Sequence, residues 1–181
     1  MKLALLVLFL FGNAQGDFLP TKRGTRWEYR VGSVAVVMTV VGMEKVGGAS
    51  CVVVETTRGR KKERSWIQNS RGGLQIRRMM SGGRVNNLGS PALILKLPLK
   101  RGDTWKARIP ILNEVAEYSY RNMGQEKVKV VAGEFTAWKI QATYQVSGSR
   151  FSQVSWYSAK TGWLVKQTTG GQKMELTRYS R

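Results

Sequence analysis

The stretch Leu97-Pro98-Leu99-Lys100-Arg101-Gly102-Asp103-Thr104-Trp105 decides how the fold is read, because it occurs twice. Its first copy is Leu19-Pro20-Thr21-Lys22-Arg23-Gly24-Thr25-Arg26-Trp27, 78 residues upstream, and six of the nine positions are identical. Proline keeps the approach extended, Lys-Arg-Gly makes an exposed turn, and tryptophan starts a strand with a large apolar anchor. We therefore interpret the chain as two related halves that open with the same segment.

Two further matches follow these opening segments in the same order. Residues Trp66 to Leu74 and Trp156 to Leu164 share the pattern tryptophan, an aliphatic or aromatic residue, four others, glycine, one other, leucine. Gly47-Gly48 before one predicted strand resembles Ala132-Gly133 before another. An ordered set of three matches indicates an internal repeat, with halves at residues 17–96 and 97–181.

Period-two alternation, which is typical of half-buried strands, dominates the chain after the N-terminal segment. From Phe135 to Val146, apolar residues occupy one face and polar residues the other. We predict an all-β fold, an antiparallel meander of about ten strands that forms one curved sheet or half-barrel, or two packed sheets. The predicted strands are Arg26 to Val31, Val34 to Glu44, Ser50 to Arg58, Glu63 to Asn69, Leu74 to Met80, Phe135 to Val146, Phe151 to Ser158, Trp163 to Thr169 and Lys173 to Arg178. We expect Met80 to Ser90 to be a loop, and Pro91 to Pro98 to be an edge strand or a crossover.

The first sixteen residues have the pattern of a signal peptide. Lys2 precedes the apolar run Leu3 to Phe11, and Ala14-Gln15-Gly16 is a small-x-small cleavage site. The run is shorter than the ~20 residues that a membrane-spanning helix needs. We expect export to the periplasm, the cell envelope or the exterior, and no transmembrane segment in the mature chain. Residues 17–181 are predicted to form a single β domain, since halves of this size are small for separate cores.

The motifs of the second half resemble those of a group of secreted bacterial proteins classed as domains of unknown function. They are Leu-Pro-Leu-Lys-x-Gly-x-x-Trp at Leu97 to Trp105, Val-x-Val-x-Ala-Gly-x-Phe at Val128 to Phe135, and Trp-Tyr-x4-Gly-x-x-Val-Lys at Trp156 to Lys166. The resemblance implies a curved antiparallel sheet, similar to the half-barrels of periplasmic lipoprotein carriers. It implies no catalytic residue.

The chain is strongly basic, with a formal net charge of +19. Between Arg58 and Arg108, fourteen Lys or Arg residues face only Glu63 and Asp103. Such a field favours anionic partners such as lipids or acidic glycans, although a solvated basic surface without a ligand is the alternative. The candidate anion-binding residues are Arg58, Arg60, Lys61, Lys62, Arg64, Arg77, Arg78 and Arg84. Aromatic residues are not interleaved with them, which argues against nucleic acid.

A curved sheet could also hold an apolar ligand in a concave groove. The candidate groove residues are Trp138, Tyr144, Phe151 and Trp163. The alternative is that the aromatic residues fill the core, as we expect for the tryptophans in repeated positions.

The sequence offers little material for catalysis. It has no histidine, and its one cysteine, Cys51, has the surroundings of a buried strand residue. Glu114 and Glu117 are the closest acidic pair, and we expect them on opposite strand faces or in a loop. Arg101-Gly102-Asp103 is interpreted as a turn, because its copy has threonine in place of aspartate. We expect no enzyme activity, no cofactor and no metal.

The sequence is therefore compatible with three functions. The first is an exported, non-enzymatic envelope protein that binds an amphiphilic or anionic envelope component. The second is an assembly module that pairs through a strand edge, near Pro91 to Pro98 or at the C-terminus. The third is a hydrolase whose carboxylates converge from distant strands. The oligomeric state stays open.

Overall fold

A computed structural model describes residues 18–111 and 114–181, which form strands joined by short turns. The predicted signal peptide lies outside the described residues. The strands are β1 (Arg26–Val31), β2 (Val34–Val46), β3 (Ala49–Arg58), β4 (Lys61–Ser70), β5 (Gly73–Ser81), β6 (Arg84–Lys96), β7 (Thr104–Ile111), β8 (Glu114–Val130), β9 (Gly133–Val146), β10 (Ser149–Ser158), β11 (Trp163–Thr169) and β12 (Gln172–Ser180).

All twelve strands belong to one antiparallel sheet, in the order β6-β5-β4-β3-β2-β1-β12-β11-β10-β9-β8-β7. The predicted all-β antiparallel fold is confirmed, as a single nearly closed, barrel-like sheet rather than two packed sheets. Consecutive strands pair with each other throughout, except for β6 and β7, and the two terminal strands pair with each other as well. β1 pairs with β12, from Arg26 opposite Ser180 to Val31 opposite Met174, and β6 does not pair with β7.

The predicted loop from Met80 to Ser90 is wrong. β5 continues to Ser81, Gly82 and Gly83 make a tight turn with positive φ, and β6 starts at Arg84. The two glycines form the turn of a hairpin. The strand residues beside the turn, such as Asn86, are polar, so the sequence shows no apolar alternation there that would indicate a strand. β7 and β8 are both absent from the predicted strands, so the sheet has twelve strands instead of about ten.

The turns of the two opening segments make the same backbone hydrogen bonds. The amide of Gly24 donates to the Val40 carbonyl at 2.8 Å, and the amide of Gly102 donates to the Asn122 carbonyl at 2.8 Å. The two glycines have φ values of +87° and +90°, which a side chain would strain. Each segment thus docks on the second strand of its own half, and Arg101-Gly102-Asp103 is a turn.

Each opening segment also binds a turn of the opposite half. The amide of Leu19 donates to the Gly162 carbonyl at 2.6 Å, and the amide of Leu97 donates to the Gly72 carbonyl at 3.1 Å. Gly72 and Gly162 are the glycines that the sequence repeat aligned. These hydrogen bonds are reciprocal: a turn in each half of the sheet binds the opening segment of the other half.

The main core lies on the inner, concave face of the sheet. Trp27, Val40, Leu74, Leu95 and Leu176 are fully buried there. A small second cluster lies on the outer face of the first half, where Cys51 packs with Val46, Val53 and Trp66. Cys51 has no exposed surface, which confirms its structural role.

Two side-chain contacts join the unpaired edges β6 and β7. The indole nitrogen of Trp105 on β7 donates to the Leu93 carbonyl on β6 at 3.1 Å. The Lys96 ammonium lies 3.3 Å from the Asp103 carboxylate. We call this pair of contacts the seam. The predicted edge strand around Pro91 lies on β6, at an edge, whereas the C-terminal strand β12 is internal.

Candidate functional site

The two ends of the sheet differ in how they are covered. One end, the capped end, carries the opening segments, and Phe18 and Leu19 are each only 2% exposed there. The other end, the open end, carries the hairpin turns β1–β2, β3–β4, β5–β6, β9–β10 and β11–β12, together with the end of β7 and the start of β8. Strand ends at the open end are exposed, as in residues 84–87 and 149–152.

The candidate site is a cavity of about 760 Å³ at the open end. Its volume lies within the range of ordinary small-molecule sites. The lining residues come from β1 to β4, β11 and β12: Val31, Val34, Val36, Met38, Thr56, Arg58, Gly59, Arg60, Lys61, Glu63, Gln167 and Met174.

Strand alternation explains why these side chains meet. Val34, Val36 and Met38 alternate along β2 on the same face as the fully buried Val40. On β12, Met174 lies two residues before the fully buried Leu176. The cavity floor is therefore an extension of the apolar core toward the open end.

The rim of the cavity is basic. Arg58 and Lys61 are register partners beside the Gly59-Arg60 turn, and all three cationic side chains line the cavity. None of the three forms an ion pair with any residue in ranges 18–111 and 114–181. Glu63 is the acidic lining residue, and it accepts a hydrogen bond from the Ser81 hydroxyl at 2.8 Å. The arrangement suits a ligand with an anionic head and an apolar tail.

Two other predicted anion-binding residues point elsewhere. Lys62 and Arg64 lie on the outer face, where both pair with Glu55 at 3.5 and 2.8 Å. The hydrogen bond from Arg64 is the main cause that lowers the pKa of the Glu55 carboxyl. These two cations already have a carboxylate partner inside the protein.

The remaining predicted cations are separated from the rim as well. Arg77 donates to the Gln68 side chain at 2.7 Å, and the Arg78 guanidinium lies over the Trp66 ring at 5.3 Å. Arg84 starts β6 at the open end, opposite Ser81. The structure thus brings Arg58, Arg60 and Lys61 together, places Arg84 at the same end, and disperses the other four.

Stacked aromatic rings cross the second half of the sheet. Consecutive centroid separations are 5.1 Å for Trp105–Tyr120, 5.6 Å for Tyr120–Tyr118, 4.4 Å for Tyr118–Tyr144 and 5.4 Å for Tyr144–Phe151. Burial raises the pKa of Tyr118 to about 12, so its phenol stays neutral. The stack ends at the open end with Phe151, which is 39% exposed.

The four residues predicted to line an apolar groove do not form one set. Tyr144 and Phe151 stack on each other near the open end. Trp163 is buried and packs against Trp27 at a centroid distance of 6.2 Å. Trp138 is half-buried beside the core, opposite Tyr157. None of the four lines the 760 Å³ cavity.

The sequence analysis missed the apolar floor of the cavity. The alternating run from Val34 to Val40 was identified only as a strand, although it showed which residues share a face. Arg58 lies four residues after Val54 on β3, so the same alternation places it on the inner face. That signal separates Arg58 and Lys61 from Lys62 and Arg64.

The acidic residues of the sequence analysis are engaged elsewhere. Glu114 accepts hydrogen bonds from the Ser147 hydroxyl and amide at 2.7 and 2.8 Å, and the hydroxyl is the main cause that lowers the pKa of its carboxyl. Glu117 lies 3.6 Å from the Lys106 ammonium. In the part of the chain that the structure describes, no group of three or more Cys, Asp or Glu residues could hold a metal ion, and no helix is long and apolar enough to cross a membrane.

The fold is similar to that of two solved proteins. One, from Bacteroides fragilis, is inferred to be exported and is described as having a YmcC-like fold; it is 14% identical, with a TM-score of 0.56, over 92% of this chain and 100% of that chain. The other, from Parabacteroides distasonis, is inferred to be a lipoprotein; it is 14% identical, with a TM-score of 0.50, over 91% of this chain and 99% of that chain. No family model matches the chain. No curated protein sequence matches it. At this identity the likeness shows a shared fold.

Proposed function

We propose that this chain is an exported, non-enzymatic protein of the bacterial envelope that binds an anionic, single-chain amphiphile at the open end. The observation that carries the proposal is the cavity whose apolar floor adjoins a rim of unpaired cations, Arg58, Arg60 and Lys61. Export is supported by the signal-peptide pattern of residues 1–16 and by the two structural neighbours, which are inferred to be an exported protein and a lipoprotein.

The head group and the tail have separate sites in this proposal. Val36, Met38 and Met174 contact the alkyl chain, and each methylene moved out of water contributes about 0.8 kcal/mol. Arg58 and Lys61 contact the phosphate, sulfate or carboxylate through charge-assisted hydrogen bonds. A neutral head group would leave these cations without a partner.

Calorimetric titration with dodecyl phosphate, decyl phosphate and dodecyl maltoside, below their micelle concentrations, tests the proposal. We expect dodecyl phosphate to bind roughly tenfold more tightly than decyl phosphate, since two methylenes are lost, and the maltoside to bind weakly. Arg58→Gln with Lys61→Gln should weaken binding of the phosphate by tenfold or more. The matched control is Arg71→Gln with Lys129→Gln, at the capped end.

Equal affinity for both chain lengths would show that the apolar floor is not used. Equal weakening in the control pair would show that overall charge, and not the rim, governs binding. Either result would overturn the proposal.

One observation favours a second candidate function, in which this protein assembles with a partner through a strand edge. Residues 84–90 of β6 pair only with β5, lie beyond the seam and are mostly exposed. Edge strands of this kind recruit partner strands. Sedimentation of the purified protein tests self-pairing, and a monomer at the highest soluble concentration would remove it.

A further inference from the structure

Apolar side chains gather at the hairpin tips of the open end. Val34 is 38% exposed, Val85 and Val115 are each 54% exposed, and Phe151 is 39% exposed. Val34, Val85 and Phe151 lie within three residues of three different turns of the open end, and Val115 is the second residue of β8, which starts at that end. The other exposed large apolar side chains are Met43, Met123 and Val131, of which only Val131 borders a turn at the capped end. We call the four tip residues the apolar tips.

Unpaired cations surround the apolar tips. Arg58, Arg60 and Lys61 occupy the β3–β4 hairpin, Arg84 starts β6, and Arg150 follows the β9–β10 turn. None has an ion-pair partner among the described residues. The two carboxylates at these tips, Glu63 and Glu114, are held by Ser81 and Ser147. The hairpin tips of the open end thus carry five cations without an ion pair and two engaged carboxylates beside the four apolar side chains.

We infer that the open end docks on the surface of an anionic lipid bilayer. Apolar side chains enter the boundary between head groups and acyl chains, while cations meet the lipid phosphates. The spacing of the apolar tips on four separate hairpins suits a flat surface, whereas a groove for a peptide or a helix would need them on one line. The cavity mouth then faces the membrane from which a single-chain amphiphile would be taken.

The inference extends the proposed function but does not depend on it, because the apolar tips Val85 and Val115 lie outside the cavity. A protein with an empty cavity would still dock. Two independent measurements, vesicle binding and titration with dodecyl phosphate, therefore separate the two statements.

Flotation of the mature chain with vesicles tests the docking. The vesicles are phosphatidylcholine alone, or phosphatidylcholine with about one third phosphatidylglycerol, each at low and raised salt. We expect binding to the anionic vesicles, weakened by salt, and little binding to phosphatidylcholine. Val85→Ser with Val115→Ser should weaken binding at least tenfold, and Arg84→Gln with Arg150→Gln should weaken it by roughly fivefold per charge.

The control is Val131→Ser with Lys129→Gln, which makes the same kinds of change at the capped end. It should bind anionic vesicles like the unaltered protein. Thermal unfolding of every variant verifies that it is folded. Val85→Ser with Val115→Ser, and Arg84→Gln with Arg150→Gln, should bind dodecyl phosphate normally, because none of the four residues lines the cavity. Unchanged vesicle binding by the serine variant, or an equal loss in the control, would overturn the docking. Weakened vesicle binding by Val85→Ser with Val115→Ser, with dodecyl phosphate binding retained, would support both proposals.

Discussion

At the scale of single residues, two tryptophan–glutamate hydrogen bonds are arranged alike in the two halves of the sheet. The Trp66 indole donates to Glu44 at 2.7 Å, and the Trp156 indole donates to Glu126 at 2.6 Å. A cation lies over each ring, Arg78 over Trp66 at 5.3 Å and Lys166 over Trp156 at 5.2 Å. The carboxylate fixes the indole edge and the cation covers its face, which lets a large aromatic residue lie on the outer side of the sheet.

The hydrogen bond between Trp156 and Glu126 predicts a pH-dependent stability. This hydrogen bond is the main cause that lowers the pKa of the Glu126 carboxyl. Because the folded-state pKa lies below the unfolded value, the carboxylate stabilises the fold above that unfolded value, and the contribution disappears as the pH falls through the folded-state pKa. Glu126→Gln keeps an acceptor but loses the charge, so we expect a loss of up to about 1 kcal/mol at pH 7, since the partly exposed carboxylate is screened by solvent. The loss should decrease as the pH is lowered below the unfolded-state pKa toward about pH 3.

Urea unfolding of both proteins across this pH range measures the difference. Glu117→Gln is the control, because Glu117 lies in an exposed pair with Lys106 and such pairs contribute little. A difference that stays constant between pH 7 and pH 3 would mean that the Glu126 charge is not its cause.

At the scale of elements, the alternation of apolar residues and the positions of turn residues predicted most of the strands. β1 and β11 have the predicted bounds, and the other predicted strands differ from the observed ones by one or two residues at their ends. β8 was missed because its buried face includes Asn122 and Gly124, a polar residue and a glycine, which hide the apolar alternation in the sequence. The resemblance of the second-half motifs to secreted β-proteins agrees with the observed fold.

Local sequence patterns could not predict which elements far apart in the chain contact each other. The sequence repeat aligned Gly72 with Gly162, but it did not show that each binds the opening segment of the opposite half. Similarly, the basic run from Arg58 to Arg64 was treated as one patch, whereas strand alternation divides it between the cavity rim and the outer face. From the sequence, only the cationic residues of the candidate site could be predicted. Its apolar floor comes from strands that are far apart in the chain.

The seam between β6 and β7 rests on the Trp105 side chain, which makes it sensitive to one substitution. Trp105→Phe keeps a ring to stack on Tyr120 but removes the donor to the Leu93 carbonyl. We expect a loss of roughly 1 kcal/mol in unfolding free energy and faster amide exchange along β6, since that edge becomes freer to open. Hydrogen exchange measured by mass spectrometry tests this.

The control for the seam is Trp138→Phe. The Trp138 indole has no hydrogen-bond partner among residues 18–111 and 114–181, so the substitution should leave exchange in β6 unchanged. Unaltered β6 exchange in Trp105→Phe would indicate that the Lys96–Asp103 pair alone holds the seam.

At the scale of the whole molecule, the repeat closes one end of the sheet and leaves the other open. Both opening segments lie at the capped end, because each precedes the first strand of its half. The alternate turns, which carry no such segment, lie at the open end. Two similar opening segments, one in each half, therefore give a barrel-like sheet with one covered mouth and one accessible mouth. Both proposals concern the accessible mouth.

The reciprocal contacts predict that neither half folds alone. Residues 18–96 would lose the pairing of β1 with β12 and the Gly162 carbonyl that holds Leu19, and residues 97–181 would lose the corresponding contacts of Leu97. A half of about 80 residues then has a small core with a long exposed strand edge. We expect each half, expressed separately, to lack near-ultraviolet circular dichroism and cooperative unfolding. Mixing the two should restore both signals, because β1 and β12 supply complementary edges. Cooperative unfolding of either half by itself would contradict a shared core.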